Sequence, residues 1–190
     1  MKNVLKNPAN YGPLLIVLAA VLWGLDGIVR RSLFSLPPSV IVFYEHLIGA
    51  IIIAPFLLKA WRKERLAQKE WWVMGGVALL SGVLGTLWFT TALARTNFIP
   101  FSVVFLLQKL QPLFAIAGAR LVLKERISRG YWLWAALAIV AAYFVTFPGG
   151  VVNFGEANGR LIAALFAVGA AFAGGFSTSL SRLVLLKHSH

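Results

Sequence analysis

The 190-residue sequence contains no cysteine, so disulfides, thiolate metal sites and cysteine nucleophiles are excluded. Acidic residues are also scarce: six Asp and Glu stand against 18 Lys and Arg, leaving a net charge of +12. These carboxylates form no pair at catalytic spacing, and neither a Gly-rich phosphate loop nor a metal-ligand cluster accompanies them. The histidines are His46, His188 and His190, the last two in the tail, so no histidine-based metal site is expected. Polar surface is missing too. Hydrophobic residues make up 59% of the chain and the mean hydropathy is +0.81, whereas a soluble domain runs nearer half apolar. The excess lies in long unbroken blocks, which is the signature of membrane-spanning helices.

A strongly basic chain invites a nucleic-acid reading. Here the Lys and Arg residues fall mostly in short segments between apolar blocks. The positive-inside rule accounts for that placement without a nucleic-acid partner. The first block starts after Lys2 and Lys6, as a secretory signal would, but its apolar run continues through Trp23 to Val29 with no small-x-small cleavage site after it. It reads as an uncleaved first helix.

A span needs about 20 apolar residues in helix. Six segments qualify: Pro13 to Val29, Ser39 to Leu58, Trp71 to Leu93, Pro100 to Leu123, Tyr131 to Phe147 and Leu161 to about Leu180. Pro37-Pro38 and Pro148-Gly149-Gly150 punctuate them, Pro100 suits a helix start, and Ser128 is placed to cap the fifth helix. The connections are too short to fold alone. The fold class expected is all-α integral membrane, with about six transmembrane helices. Ser81 with Gly85, and Gly169 with Ala173, are small-xxx-small pairs of the kind that let helices approach closely in lipid.

With the N-terminus in the cytoplasm, the inner segments hold Lys2, Lys6, Lys59, Arg62, Lys63, Arg65, Lys69, Arg120, Lys124, Arg126, Arg129, Arg182 and Lys187. The outer ones hold Arg30, Arg31, Arg95 and Arg160. The bias predicts an N-terminus inside and a multi-pass protein of the cytoplasmic membrane. Trp71, Trp72, Tyr131 and Trp132 then sit in the inner aromatic belt.

A charge in hydrocarbon costs a few kcal/mol or more, so each one needs a reason. Asp26, Glu45, His46 and Lys109 are the candidates. Asp26 and the Glu45-His46 pair lie at about 10 Å below the outer surface, by the rise of 1.5 Å per residue. Lys109 is deeper, flanked by Gln108 and Gln111, which share a helix face. Trp23, Asp26, Gly27 and Arg30 also share a face. Asp26 has a simpler reading, an interfacial pair with Arg30. Glu45 and His46 point about 100° apart, so at most one easily faces a cavity. Lys109 could instead hold a buried ion pair with Asp26 or Glu45 that fixes helix packing. The candidate substrate or proton site is Asp26, Glu45, His46, Lys109, Gln108 and Gln111, walled by Trp23 and Trp88. Charges spread over several spanning helices suit a solute or proton path better than an enzyme.

The first helix reads LAAVLWGLDGIVRRSL, with Trp23-Gly24, and the fourth helix and its exit read PFSVVFLLQKLQPLFAIAGARLVLKERIS, with Pro112 and Glu125-Arg126. Over about Leu14 to Phe147 this resembles the EamA-type domain of the drug/metabolite transporter superfamily. The resemblance implies ten helices in two inverted repeats, both termini inside, a central cavity for small metabolites, and neither cofactor nor ATP. An odd number of helices per repeat inverts the second copy. The expected organisation is a cytoplasmic segment 1–12, a five-helix repeat 13–147, an external loop 148–160, and the first helix of a second repeat at 161–190. The chain is therefore expected to be the N-terminal part of a longer secondary transporter, an exporter or proton-coupled carrier. The family's second helix often carries an arginine where this sequence has Glu45-His46, so no substrate carries over. The alternatives are a non-transporting membrane subunit and a short-chain assembly of the small-multidrug type. Expected partners are the lipid bilayer, a small-molecule substrate and, for a short-chain form, a second copy in a homodimer.

Overall fold

The computed structural model describes residues 12–61, 66–95, 97–151 and 158–188. Lys2, Lys6, Arg62, Lys63, Arg65 and His190, which enter the charge and histidine readings, lie outside the described residues, as do most of segment 1–12 and the middle of loop 148–160. Among the described residues all regular structure is helical, and six helical stretches are long and apolar enough to cross a membrane.

The chain divides into two units, 1–37 and 38–190. The first unit contains one described helix, α1 (Gly12–Arg31). Its sequence is apolar until Asp26, and the two arginines in its last turn complement the helix dipole.

The second unit contains the other five spans. The first of them, α2 (Pro38–Trp61), starts on a proline and tolerates Pro55 within it, as spanning helices do when neighbours re-satisfy the freed carbonyl. The next span is assembled from α3 (Gln68–Val77), a π-helical segment at Ala78–Gly85, and α4 (Thr86–Ala94). The wide π turn is supported by Thr86, whose hydroxyl donates to the Ser81 carbonyl at 3.2 Å and to the Gly82 carbonyl. At the start of α3, the Glu70 carboxylate accepts the Ala67 N–H at 2.8 Å, the reciprocal half of a capping box.

The fourth span is broken. A first piece, α5 (Phe101–Gln108), is separated by two residues from α6 (Gln111–Val122). Pro112 explains the break: it has no N–H to give the Gln108 carbonyl, and its ring crowds that carbonyl. The chain tightens instead through i→i−3 bonds, Leu110 N–H to the Leu107 carbonyl at 3.1 Å and Leu113 N–H to the Leu110 carbonyl at 2.9 Å. The continuous helix read from the sequence is thus two helices joined at Lys109-Leu110.

Two more spans complete the unit. Ser128 occupies the N-cap position of α7 (Arg129–Thr146), but its side chain makes no capping bond. Gly149 and Gly150, at φ 79° and 71°, end that helix in a left-handed turn that glycine adopts freely. The last helix, α8 (Asn158–His188), has 31 residues and runs well past Leu180, where the hydrophobic block thins.

α8 sits at the centre of the second unit, packed against α3, the π segment, α4, α5 and α6. Its buried face is almost all small: Ala163, Ala167, Ala170, Ala171, Ala173, Ser177 and Ser179. In lipid, apolar surface gains little by leaving the tails, so close backbone approach is what holds such helices. Gly118 of α6 faces Ser179 and Phe176, while Gly85 faces Ala173 and Gly169 faces Trp88. The Ser179 hydroxyl donates to the Ala115 carbonyl at 2.7 Å. Of the small-residue pairs read from the sequence, Gly169 and Ala173 both lie at helix contacts, whereas in the other pair Gly85 does so and Ser81 is exposed.

These contacts fix helix direction. Gln111 meets Gly174, Gly118 meets Ser179, and Glu125 pairs with Arg182, so α6 and α8 run parallel. Trp88 meets Gly169 while Glu70 meets His188 at 3.0 Å, so α3–α4 runs antiparallel to α8. Lys69, Lys124, Arg126, Arg129, Arg182 and Lys187 thereby gather at one end of this unit. At the other end Arg160 donates to the Phe98 carbonyl at 3.1 Å and Arg95 lies 5.6 Å from the Phe166 ring centre.

Candidate functional site

On α1, Arg30 closes a fork on Asp26, with Nη2 at 3.0 Å from Oδ1 and Nε at 3.2 Å from Oδ2. The acid lies four residues before the base, the favourable order for such a pair. Asp26 thus has its interfacial partner within its own helix, which leaves its carboxylate half-buried and still open to a second group. Trp23 lies one turn earlier on the same face.

On α2, Glu45 and His46 diverge as adjacent helical residues must. His46 lines a groove of about 470 Å³ between α2 and the π segment, with Val42, Phe43, Leu47, Val83 and Leu87 as its apolar walls. Its Nδ1 lies 2.8 Å from the Val42 carbonyl. A carbonyl can only accept, so Nδ1 carries a proton and donates to it. The ring's Nε2 would stand 3.6 Å from a Cβ placed on Gly82. Glu45 is exposed and does not line the groove.

Lys109 is exposed at the break in the fourth span. Beside it, the Gln108 side-chain oxygen is buried and has no hydrogen-bond partner among the described residues. Pro112 also removes the partner of the Gln108 main-chain carbonyl. An acceptor-rich point inside a broken spanning helix is where membrane carriers hold cations or donor groups. Gln111 does not share that position. Its side chain lies over Gly174 of α8, and its carbonyl meets Gly175.

Trp88 lies against Gly169 of α8, one turn and a half along α8 from the Gln111 contact at Gly174. The second unit therefore gives three local features: the His46 groove, the Gln108-Lys109 break, and a line of Trp88 and Gln111 along α8. Gly82, Gly174 and Gly175 are not marked out by the sequence, because a glycine in an apolar run carries no sign of which neighbour it approaches.

Residues 10–147 match the EamA-like transporter family. The chain is 40% identical over 177 residues to the riboflavin transporter ImpX of Fusobacterium nucleatum subsp. nucleatum, covering 92% of this chain and 59% of that protein. It is 28% identical over 183 residues to the pseudopaline exporter CntI of Pseudomonas aeruginosa, covering 94% of this chain and 60% of that one. The chain thus spans about three fifths of the length of the curated relatives it matches. No solved structure matches it. A family match over residues 10–147, on a chain whose six apolar helices can each cross a bilayer, places this multi-pass membrane protein in the EamA-like transporter family.

Proposed function

We propose that this chain contributes one five-helix repeat, 13–147, and the leading helix of a second to a secondary carrier of small metabolites in the cytoplasmic membrane. The observation that carries the proposal is the 40% identity to a riboflavin transporter, sustained over 177 residues, 92% of this chain. Riboflavin is accordingly the first substrate to test, and a flat, partly apolar solute of that kind suits a site walled by aromatic residues. The second relative, an exporter of pseudopaline, supports small metabolites as the broader class.

In this reading the N-terminus is cytoplasmic. The gathering of Lys69, Lys124, Arg126, Arg182 and Lys187 at one end of the second unit supports that orientation. Asp26 or Glu45 takes up and releases the coupling proton. Lys109 and Gln108 meet polar groups of the solute near the midplane, where the Gln108 side-chain oxygen is buried with no partner among the described residues. Trp88, against Gly169 of α8, walls the path, and His46 lines the apolar groove between α2 and the π segment.

The test is uptake and efflux of riboflavin and a panel of small polar metabolites in proteoliposomes. Asp26→Asn, Glu45→Gln and Lys109→Met are compared with wild type. Loss of flux in at least one variant, with folding intact, supports the site. Normal flux in all three contradicts it.

A further inference from the structure

The end of α6 turns back on itself before α7. Leu123 and Glu125 both donate their N–H groups to the Ala119 carbonyl, at 3.0 and 3.3 Å, and Lys124 takes a left-handed φ of 58°. Arg120 pins this turn by donating to the Glu125 carbonyl at 3.2 Å. The turn's one acid, Glu125, gives its carboxylate to Arg182 of α8 at 2.9 Å. Arg120, Lys124, Arg126 and Arg129 are thus left around the turn with no second carboxylate among its residues.

Arg120 and Arg126 line one cavity of about 400 Å³ with Ile127 and Trp132. On its other side Arg126 also borders a cavity between α6, α7 and α8. Beside the two guanidinium groups, apolar side chains are open to the surroundings: Leu121 is 72% exposed, Trp132 56% and Leu133 61%. The place is the junction of two spans, so those side chains stand at the boundary between headgroups and acyl chains.

We propose that Arg120, Arg126 and Trp132 form a binding site for the phosphate headgroup of an anionic phospholipid. Two arginines on one cavity match the geometry of a phosphate, since the guanidinium fork donates in pairs. Arg120 spends one donor on the Glu125 carbonyl and keeps the others. The adjoining Leu121, Trp132 and Leu133 surface argues for a lipid over a soluble anion, because it gives an acyl chain a place to lie. A general excess of positive charge at this end would draw anionic lipid diffusely. The shared cavity instead makes specific side chains matter.

The experiment is native mass spectrometry of the purified protein, with phosphatidylglycerol, phosphatidylcholine and inorganic phosphate as separate probes. Phosphatidylglycerol is retained about tenfold more than phosphatidylcholine, and Arg120→Gln and Arg126→Gln each lower its retention about fivefold. Lys69→Gln, at the same end but away from the cavity, leaves it unchanged. If the glutamine variants fail to fold, Arg126→Lys and the wild-type lipid comparison decide the matter, because the lysine keeps the charge and loses the paired donors. Equal retention of the two lipids, or an equal loss in Lys69→Gln, overturns the site. Displacement of phosphatidylglycerol by millimolar inorganic phosphate shows a soluble-anion site and overturns the lipid assignment.

Discussion

Replacing Gly175 with alanine tests whether close backbone approach to α8 holds the second unit together. A Cβ at this position would overlap the Gln111 carbonyl oxygen and stand 2.8 Å from both the Ala115 nitrogen and the Phe114 Cβ. All three belong to the body of α6, so no flexible side-chain tip can swing away. Overpacking of this kind costs about 1–3 kcal/mol, and contact with main chain puts it near the upper end. Alanine recovers about 1 kcal/mol of helix propensity over glycine. The net expectation is a loss of about 2 kcal/mol, or a fall in Tm of roughly 4–8 °C for a chain of this size. The assay is thermal unfolding of the purified protein in one detergent, followed by intrinsic tryptophan fluorescence. Gly75→Ala is the internal control, since a Cβ there meets nothing within 4 Å and should hold or raise the Tm. A Gly175→Ala protein as stable as wild type would refute the close-approach account of the α6–α8 contact.

Three further outcomes follow from the same geometry. Ser179→Ala loses the bond to the Ala115 carbonyl and should cost about 0.6–1.5 kcal/mol, measured by the same unfolding assay. Gly82→Ala puts a Cβ in ordinary contact with His46 Nε2 at 3.6 Å; its Tm should be unchanged or raised by the equivalent of up to about 1 kcal/mol, and a clear fall would mean that the groove beside the π segment is tighter than described. Pro112→Ala supplies an N–H to the Gln108 carbonyl, so hydrogen exchange at residue 112 should be as slow as in the flanking turns of α6; fast exchange there would mean that the break at Lys109-Leu110 has another cause.

Much of the architecture was legible because lipid imposes a simple rule. Every span must be long, apolar and helical, and the six runs between prolines, glycines and basic clusters show it directly. The stop at Pro148-Gly149-Gly150 was visible for the same reason, since only glycine adopts those φ values freely. The break at Lys109-Leu110 was half visible. Pro112 was recognised as a family feature, yet the 22-residue run Phe101–Val122 is apolar enough to read as one helix. The π turn at Ala78–Gly85 left no trace, because its sequence suits an α-helix equally well. The hydrophobic block alone places the end of α8 near Leu180. The helix continues to His188 because Glu70 of α3 meets Lys187 and His188 at its end, at 3.6 and 3.0 Å, a tertiary contact that local composition does not encode.

The candidate site was legible as a set of charges and not as an arrangement. Asp26 and Arg30 were placed on one face, and their fork follows from four-residue spacing alone. Glu45 and His46 were expected to diverge, and only His46 enters the groove. Gln108 and Gln111 were expected to flank Lys109 on one face, but the Pro112 break separates them. Gln108 keeps a buried oxygen at the break, and Gln111 packs on Gly174. Trp88 lies against Gly169 for a reason the sequence could not show, since it depends on which helix is brought opposite.

The central claim is that this family member belongs to a carrier, and counterflow tests it most directly. Proteoliposomes loaded with unlabelled metabolite and diluted into a trace of the labelled compound should accumulate tracer transiently above equilibrium, compound by compound across the panel. Protein-free vesicles should show no overshoot. Absence of an overshoot for every metabolite, in vesicles whose protein is shown to be folded, would contradict the account.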